Sequence, residues 1–411
     1  MPFGSGIIGR ARSLRILALS SAFPPHVYGG GEVAAFNLAR LLVRRGHDVG
    51  VATMLEKDAA PCWGERMPEG YRLYRLPLPR AHTFYGRADA TSAAHKLFWH
   101  AQDYADMRNR SAIRRVLDEF QPEHVDIHNL AGIGFNVLPL LKDSSTAYFL
   151  HDLGLACFSG SMYAGTNCAQ PCVTCRLTGA LRQHFLADVP RLGFVSPSQA
   201  NIDRLAPHVA AVRRSPAAVI RNVPDELPSL PARNPSDAPR LLYAGRLESI
   251  KGISFLLNVL ASLAPAHLFH LTVLGTGTLE AELRERYGEC QWVTFKGFVP
   301  RADVAQAMAQ ADVFCMPSLW SETYGIVTAQ ALQIGTPVIG SRNGGTVELV
   351  RHEETGLLVA PGDAVAWRTA FERIFSTPLA LEVWRANALR HSDEFGAERI
   401  GDAYEAFVSG L

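Results

Sequence analysis

Leu14-Arg-Ile-Leu-Ala-Leu-Ser20, then Gly29-Gly-Gly31, then Glu32 to Arg45, then Gly46-His-Asp-Val-Gly-Val-Ala52 is the stretch from which the fold is read. The first run is short and apolar, which suits a strand covered on both faces. Three glycines follow, where a tight turn needs backbone freedom. Val33, Phe36, Leu38, Leu41 and Leu42 then recur at helical spacing. Gly46 stands where a helix is capped, and a second apolar run begins. A strand, a glycine turn, a helix and a strand open a doubly wound parallel sheet.

The same alternation continues outward. Arg110 to Phe120 has helical patterning, and His124 to His128 and Ser145 to Leu150 read as strands, the second ending in His151-Asp152. Gly193 to Ser196 is strand-like and opens onto a helix start at Pro197-Ser198. A second α/β series begins near Ala217. After a Pro-, Ser- and Asp-rich linker from Pro224 to Pro239, it places strands at Leu241–Ala244, Leu271–Leu274, Val293–Phe295, Val313–Met316 and Pro337–Ile339. Helices alternate with them, including Gly252–Ala264 and Thr323–Ile334, and Glu394 to Val408 reads as a closing helix. The expectation is an α/β protein of two Rossmann-like domains facing a central cleft, residues 1–215 and 216–390, with 391–411 packing back toward the first. Ligands of such sheets bind beyond the carboxyl ends of the strands, so the cleft is the expected site.

The totals fit that reading. A chain of 411 residues exceeds one ordinary core. Its 48% hydrophobic and 19% charged residues mark a globular chain. A formal net charge of +1 argues against nucleic acid as a partner. Arg10, Arg12 and Arg15 precede an apolar run too short for a signal peptide or a membrane span, so a cytoplasmic protein with at most peripheral membrane contact is expected. Seven cysteines are too few for a disulfide framework in a chain this long.

Three places carry candidate chemistry. Gly29, Gly30 and Gly31 lie before a helix whose free amides suit an anion. In Gly245-Arg246-Leu-Glu-Ser-Ile-Lys251-Gly252, two cations bracket a strand-to-helix loop and can close on a diphosphate. In Ser318-Leu-Trp-Ser-Glu322-Thr-Tyr-Gly325, an acid precedes a helix start; Gln330 follows eight positions later, two turns on if both lie on the helix.

Together with Gly335-Thr-Pro-Val-Ile339, these segments resemble retaining glycosyltransferases of the GT-B fold, in the large glycosyltransferase family 4 with its Glu-x7-Glu motif. The likeness runs from Leu14 to about residue 365. It implies that Arg246 and Lys251 bind the donor diphosphate, and that Glu322 contacts the transferred sugar. Thr323, Tyr324 and Gly325 would contact that sugar through their backbone. Gly297 and Phe298 would lie near the base, and Gly29 to Gly31 would face the diphosphate and acceptor. His151 would stand beside the donor sugar. Gln330 takes the place of the family's ribose-binding glutamate. The implied reaction moves a sugar from a UDP- or GDP-sugar to a glycan, lipid-linked or small-molecule hydroxyl, with no catalytic metal. Two alternatives stay open: a non-catalytic nucleotide-sugar-binding partner subunit, suggested by the departure at Gln330, and a nucleotide-sugar hydrolase or epimerase of the same fold.

Two features stand outside the resemblance. Cys157, Cys168, Cys172 and Cys175 have the spacing of metal ligands, suited to structural zinc or an Fe–S cluster; disulfides and unligated thiols remain alternatives. His82, Phe84, Tyr85, Arg87, His95, Phe98, Trp99 and His100 form an aromatic and basic stretch suited either to the acceptor or to ordinary packing.

Overall fold

The computed structural model describes residues 12–27, 29–55, 60–76, 104, 105, 107–234 and 236–411. The aromatic stretch from His82 to His100 lies outside the described residues. Strands β1 (Arg15–Ser20), β2 (Asp48–Met54), β3 (Cys62–Arg66), β4 (Arg72–Leu76), β5 (His124–Ile127), β6 (Ser145–Phe149), β7 (Leu192–Ser196) and β8 (Ala217–Val219) form one sheet, ordered β3-β4-β2-β1-β5-β6-β7-β8. All its pairings are parallel except β3 with β4. Strands β9 (Arg240–Ala244), β10 (His270–Leu274), β11 (Val293–Gly297), β12 (Val313–Met316), β13 (Val338–Ser341) and β14 (Gly356–Val359) form a second, wholly parallel sheet, ordered β11-β10-β9-β12-β13-β14. This is the GT-B architecture of two α/β domains.

Strand β1 shows why apolar runs are continuous here. Leu17 and Leu19 enter the core on one face of the sheet, while Ile16 and Ala18 enter the core on the other. Both faces are covered by helices, so neither parity can be polar. In each sheet the chain leaves its starting strand in one direction and later returns to extend it in the other. The reversal falls between β1 and β5 in the first sheet and between β9 and β12 in the second. Loops leaving the carboxyl ends of those strands diverge and leave a crevice.

Helices α1 (Gly30–Arg44), α2 (Val173–Leu186), α3 (Gln199–Leu205), α4 (Ile253–Leu263), α5 (Ile326–Ile334) and α6 (Ala397–Ser409) matter most for the site. Helix α6 buries Ile400, Tyr404 and Val408 in the core of the first sheet, beside Ile16, Leu41 and Val51. Each such burial contributes about 1.5–3 kcal/mol. The Tyr404 hydroxyl donates to Asp126 Oδ2 at 2.7 Å, and Arg45 pairs with Glu398, Asp402 and Glu405 of the helix. The last helix in the chain thus belongs to the core of the first domain.

The structure revises four local expectations. Residues 62–76, assigned to no element from the sequence, form the β3–β4 hairpin that extends the first sheet. Ala217–Val219, assigned from sequence to the second series, pairs with β7, so the first sheet runs past residue 215. Helix α1 starts at Gly30, because Glu32 Oε2 accepts the Gly29 amide at 2.8 Å and closes the first turn. Helix α5 starts at Ile326, not Thr323, because Gly325 takes φ +93° and breaks the helical path before it.

Candidate active site

A cavity of about 550 Å³ lies between the domains, in the size range of small-ligand sites. Both sheet reversals open into it. Ser20 at the end of β1 and His128 after β5 line one wall; Gly245 and Arg246 after β9 and Met316 at the end of β12 line the other. Gly29, Gly30, Gly31, His151, Lys251, Glu322, Thr323, Tyr324 and Gly325 line it as well.

Glu322 is 5% exposed and heavily hydrogen-bonded. Its Oε1 accepts Lys251 Nζ at 2.7 Å, Trp320 Nε1 at 2.8 Å, and the Ser318 hydroxyl. Lys251 Nζ also sits 5.0 Å above the Trp320 ring. A buried carboxylate is tolerable only with such a set of donors. The loops that bring these residues together cross closely. Leu319 N donates to Ile250 O at 2.9 Å, and Gly252, at φ +72°, leaves no room for a side chain: a Cβ there would meet Pro317 O at 2.0 Å. Arg246 lines the cavity from the same side and is exposed to it.

Across the cleft, His151 Nε2 and His128 Nδ1 are 2.8 Å apart, one donating and the other accepting. The rings stack at 5.2 Å, and His128 stacks on Phe149 at 4.3 Å. Burial pushes the His151 imidazole down to about 4, and burial together with the His151 charge pushes His128 well below its ordinary value. Both rings are therefore neutral at neutral pH. Asp152 is exposed to the cavity; the protein crowded around it raises its carboxyl, opposed by the Gly154 amide and the Arg182 charge, while Glu32 adds to the rise.

The two walls are tied together at the sugar-end loop. Thr323 Oγ1 donates to His151 O at 2.9 Å, and Ser198 Oγ donates to Thr323 O at 2.6 Å. Glu348 accepts the Gln199 and Ala200 amides at 2.9 and 2.7 Å, capping helix α3 from the opposite domain.

Three candidates stand apart. Gln330 does not line the cavity; it lines a narrow second pocket with Val223, Pro224 and Phe395. The two-turn relation to Glu322 fails because Glu322 lies in the loop before Gly325 and not on α5. Gly297 and Phe298 also lie off the cavity lining, and Phe298 is 79% exposed. The four cysteines do not converge either. Cys157 Sγ and Cys175 Sγ are 3.8 Å apart, but among the described residues no three His, Cys, Asp or Glu side chains are placed to hold a metal ion. The donor set therefore does not fit the tetrahedral site expected from its spacing.

Sequence reading passed over His128, Trp320 and Arg182. The reasoning that selected His151, a residue at the carboxyl end of a strand, applies equally to His128 after β5. Trp320 sits two residues before Glu322, where an indole N–H can reach the carboxylate. No sequence signal marked Arg182, which reaches the cavity from α2.

Comparison with known proteins agrees with this geometry. Residues 29–222 match the glycosyl transferase 4-like domain and residues 238–377 match the glycosyl transferases group 1 family. The chain carries both domains of a GT-B glycosyltransferase. A relative among these glycosyltransferases, the D-inositol 3-phosphate glycosyltransferase of Pseudarthrobacter chlorophenolicus, is 36% identical over 36% of this chain and 38% of its own. The phosphatidyl-myo-inositol mannosyltransferase of Mycobacterium leprae is 32% identical over 45% of this chain and 52% of its own. The chain thus spans about half or less of the length of these relatives. Among solved GT-B structures, sucrose-phosphate synthase from Thermosynechococcus elongatus superposes with a TM-score of 0.77 at 22% identity, covering 97% of this chain and 100% of that one. HepE of Anabaena, solved with UDP and glucose, gives a TM-score of 0.68 at 18% identity over 97% of this chain and all of its own. Among the described residues of this GT-B chain, no helix is long and apolar enough to cross a membrane.

Proposed function

We propose that the protein is a retaining glycosyltransferase. It moves a hexosyl group from a nucleoside-diphosphate sugar, with UDP or GDP as leaving group, to an acceptor hydroxyl of a glycan, lipid-linked or small-molecule acceptor. The observation that carries this reading is the Lys251–Glu322 pair with Arg246 beside it, at the reversal of the second sheet and facing His151 across the cleft. The family matches in both domains support it.

In this mechanism the bond from the anomeric carbon to the diphosphate oxygen breaks, and the acceptor oxygen bonds to that carbon on the same face. The acceptor proton passes to the leaving phosphate oxygen. The protein contributes positioning and charge, not a nucleophile. Arg246 and Lys251 offset the charge that grows on the departing diphosphate. Glu322 and the amides at Thr323 to Gly325 hold the sugar hydroxyls, and neutral His151 shares a hydrogen bond with the sugar.

A panel of nucleotide sugars read by nucleotide release tests the reading. Arg246→Ala is expected to lower kcat by about 10²–10³, as loss of one preorganised charge-stabilising donor does. Unchanged turnover in that variant would sink the assignment of Arg246, and donor binding without turnover in the unaltered protein would sink the transferase.

A further inference from the structure

The two walls of the cavity differ in charge. The cations Arg246 and Lys251 stand on the second-domain wall. The first-domain wall carries the carboxylates of Glu32 and Asp152, close enough for Glu32 to raise the Asp152 carboxyl. Arg182 is the arginine or lysine of that wall among the described residues, and its Nε and Nη1 donors are turned to the protein. Its Nη1 donates to the carbonyls of Gly154 and Cys157, the latter at 3.1 Å, and its Nε donates to the Tyr104 hydroxyl at 3.2 Å. It is 8% exposed, and the charge it presents falls on Asp152.

The other polar groups of this wall are neutral. The Ser159 and Ser161 hydroxyls lie 3.2 Å apart at its rim, and Asn129 adds an amide. Hydroxyls and amides both donate and accept, as the hydroxyls of a polyol or sugar require. A phosphate or carboxylate has the opposite need, for cationic donors in a bidentate or clustered arrangement. Beside two carboxylates it would meet like charge in a partly enclosed space, where the repulsion is worth about tenfold or more in affinity.

From this charge division we infer that the acceptor is an uncharged hydroxylated molecule, a sugar or polyol with no phosphate or carboxylate next to the reacting hydroxyl. This inference rests on the transferase reading and deepens it. It separates this chain from a relative whose name specifies a phosphorylated acceptor, D-inositol 3-phosphate. Asp152 acts here as a specificity-determining residue: it excludes the anionic acceptor more than it binds the neutral one.

The test pairs neutral acceptors (glucose, mannose, N-acetylglucosamine, myo-inositol) with their monophosphates, using the donor that gives the fastest nucleotide release. The neutral member is expected to be favoured by at least about tenfold in kcat/KM, since one unfavourable charge contact is worth that much. Asp152→Lys should shift the ratio toward the phosphorylated member by about tenfold, and Asp152→Asn should shift it less. Phosphorylated acceptors used as well as or better than neutral ones would overturn the inference and leave the transferase standing. So would an unchanged ratio in an active Asp152→Lys variant. Absence of transfer from any donor to any acceptor would remove the transferase reading itself, and the inference with it.

Discussion

Glu322 Oε1 receives three donors, and each does a different task. Lys251 balances the charge, Ser318 fills one lone-pair direction, and the Trp320 N–H fixes the carboxylate plane while its ring faces Lys251. Trp320→Phe keeps most of the packing and removes one charge-assisted bond, worth about 1.5–3 kcal/mol. We expect kcat/KM to fall roughly tenfold or more by that arithmetic, with the Lys251–Glu322 pair retained. Steady-state kinetics alongside thermal unfolding decide it; an unaltered kcat/KM in a folded variant would mean that Trp320 only packs. The histidine pair makes a second prediction at this scale. An unfolded histidine titrates near 6.5, whereas His151 is held at about 4 by burial. Between those values the unfolded chain binds more protons than the folded one, so stability is full above about pH 6.5 and declines as pH falls toward 4. Each histidine contributes a slope of up to about 1.4 kcal/mol per pH unit in that window. Unfolding midpoints from pH 7.5 to 4.5 should therefore drop, and drop less steeply in His151→Gln; parallel curves would count against a buried neutral pair.

At the scale of elements, the site is assembled by turns more than by regular structure. Gly252 sits between the Lys251 turn and helix α4, and its missing side chain lets the Pro317 carbonyl approach. Gly252→Ala imposes both a left-handed backbone and a contact of 2.0 Å with that carbonyl, so something must shift. We expect a loss of about 2 kcal/mol or more in stability, together with a lower affinity for the donor as Lys251 moves away from Glu322. Denaturant unfolding and donor binding check this, and a variant as stable as the parent would show that the turn relaxes freely. The same scale explains the misplaced helix start. Apolar spacing extends the pattern of α5 back to Thr323, yet Gly325 adopts a left-handed conformation, and that decision depends on Gly344 and Gly345 packing beneath the loop. Sequence periodicity carries no information about such a partner. It carries even less about Gln330, whose distance from Glu322 is only meaningful if both lie on one helix.

For the whole molecule, the relation between the walls matters most. Thr323 bonds His151 and Ser198, and Glu348 caps α3 across the cleft. These are polar contacts between domains, and interfaces of that kind permit relative motion. Glu348→Ala removes two amide-to-carboxylate bonds and exposes the start of α3. We expect the cleft to open more often, seen as a larger radius of gyration by solution scattering and a several-fold higher KM for the donor, with a smaller change in kcat. An identical scattering curve and KM would show that the other contacts suffice.

The order of strands and helices, the two-domain plan and the positions of Arg246, Lys251, Glu322 and His151 were legible in the sequence. Apolar periodicity and glycine placement are local properties, and the carboxyl ends of parallel strands converge whatever the loops contain. Only the tertiary structure decided the rest. It returned Ala217–Val219 to the first sheet, and it placed His128 and Trp320 against residues the sequence had marked. It moved Gln330 out of the cavity, kept the cysteines from forming one ligand set, and turned the Nε and Nη1 donors of Arg182 toward the protein on the wall that carries Glu32 and Asp152. Those outcomes depend on which side chains meet across loops and domains, and a one-dimensional pattern does not encode that distance.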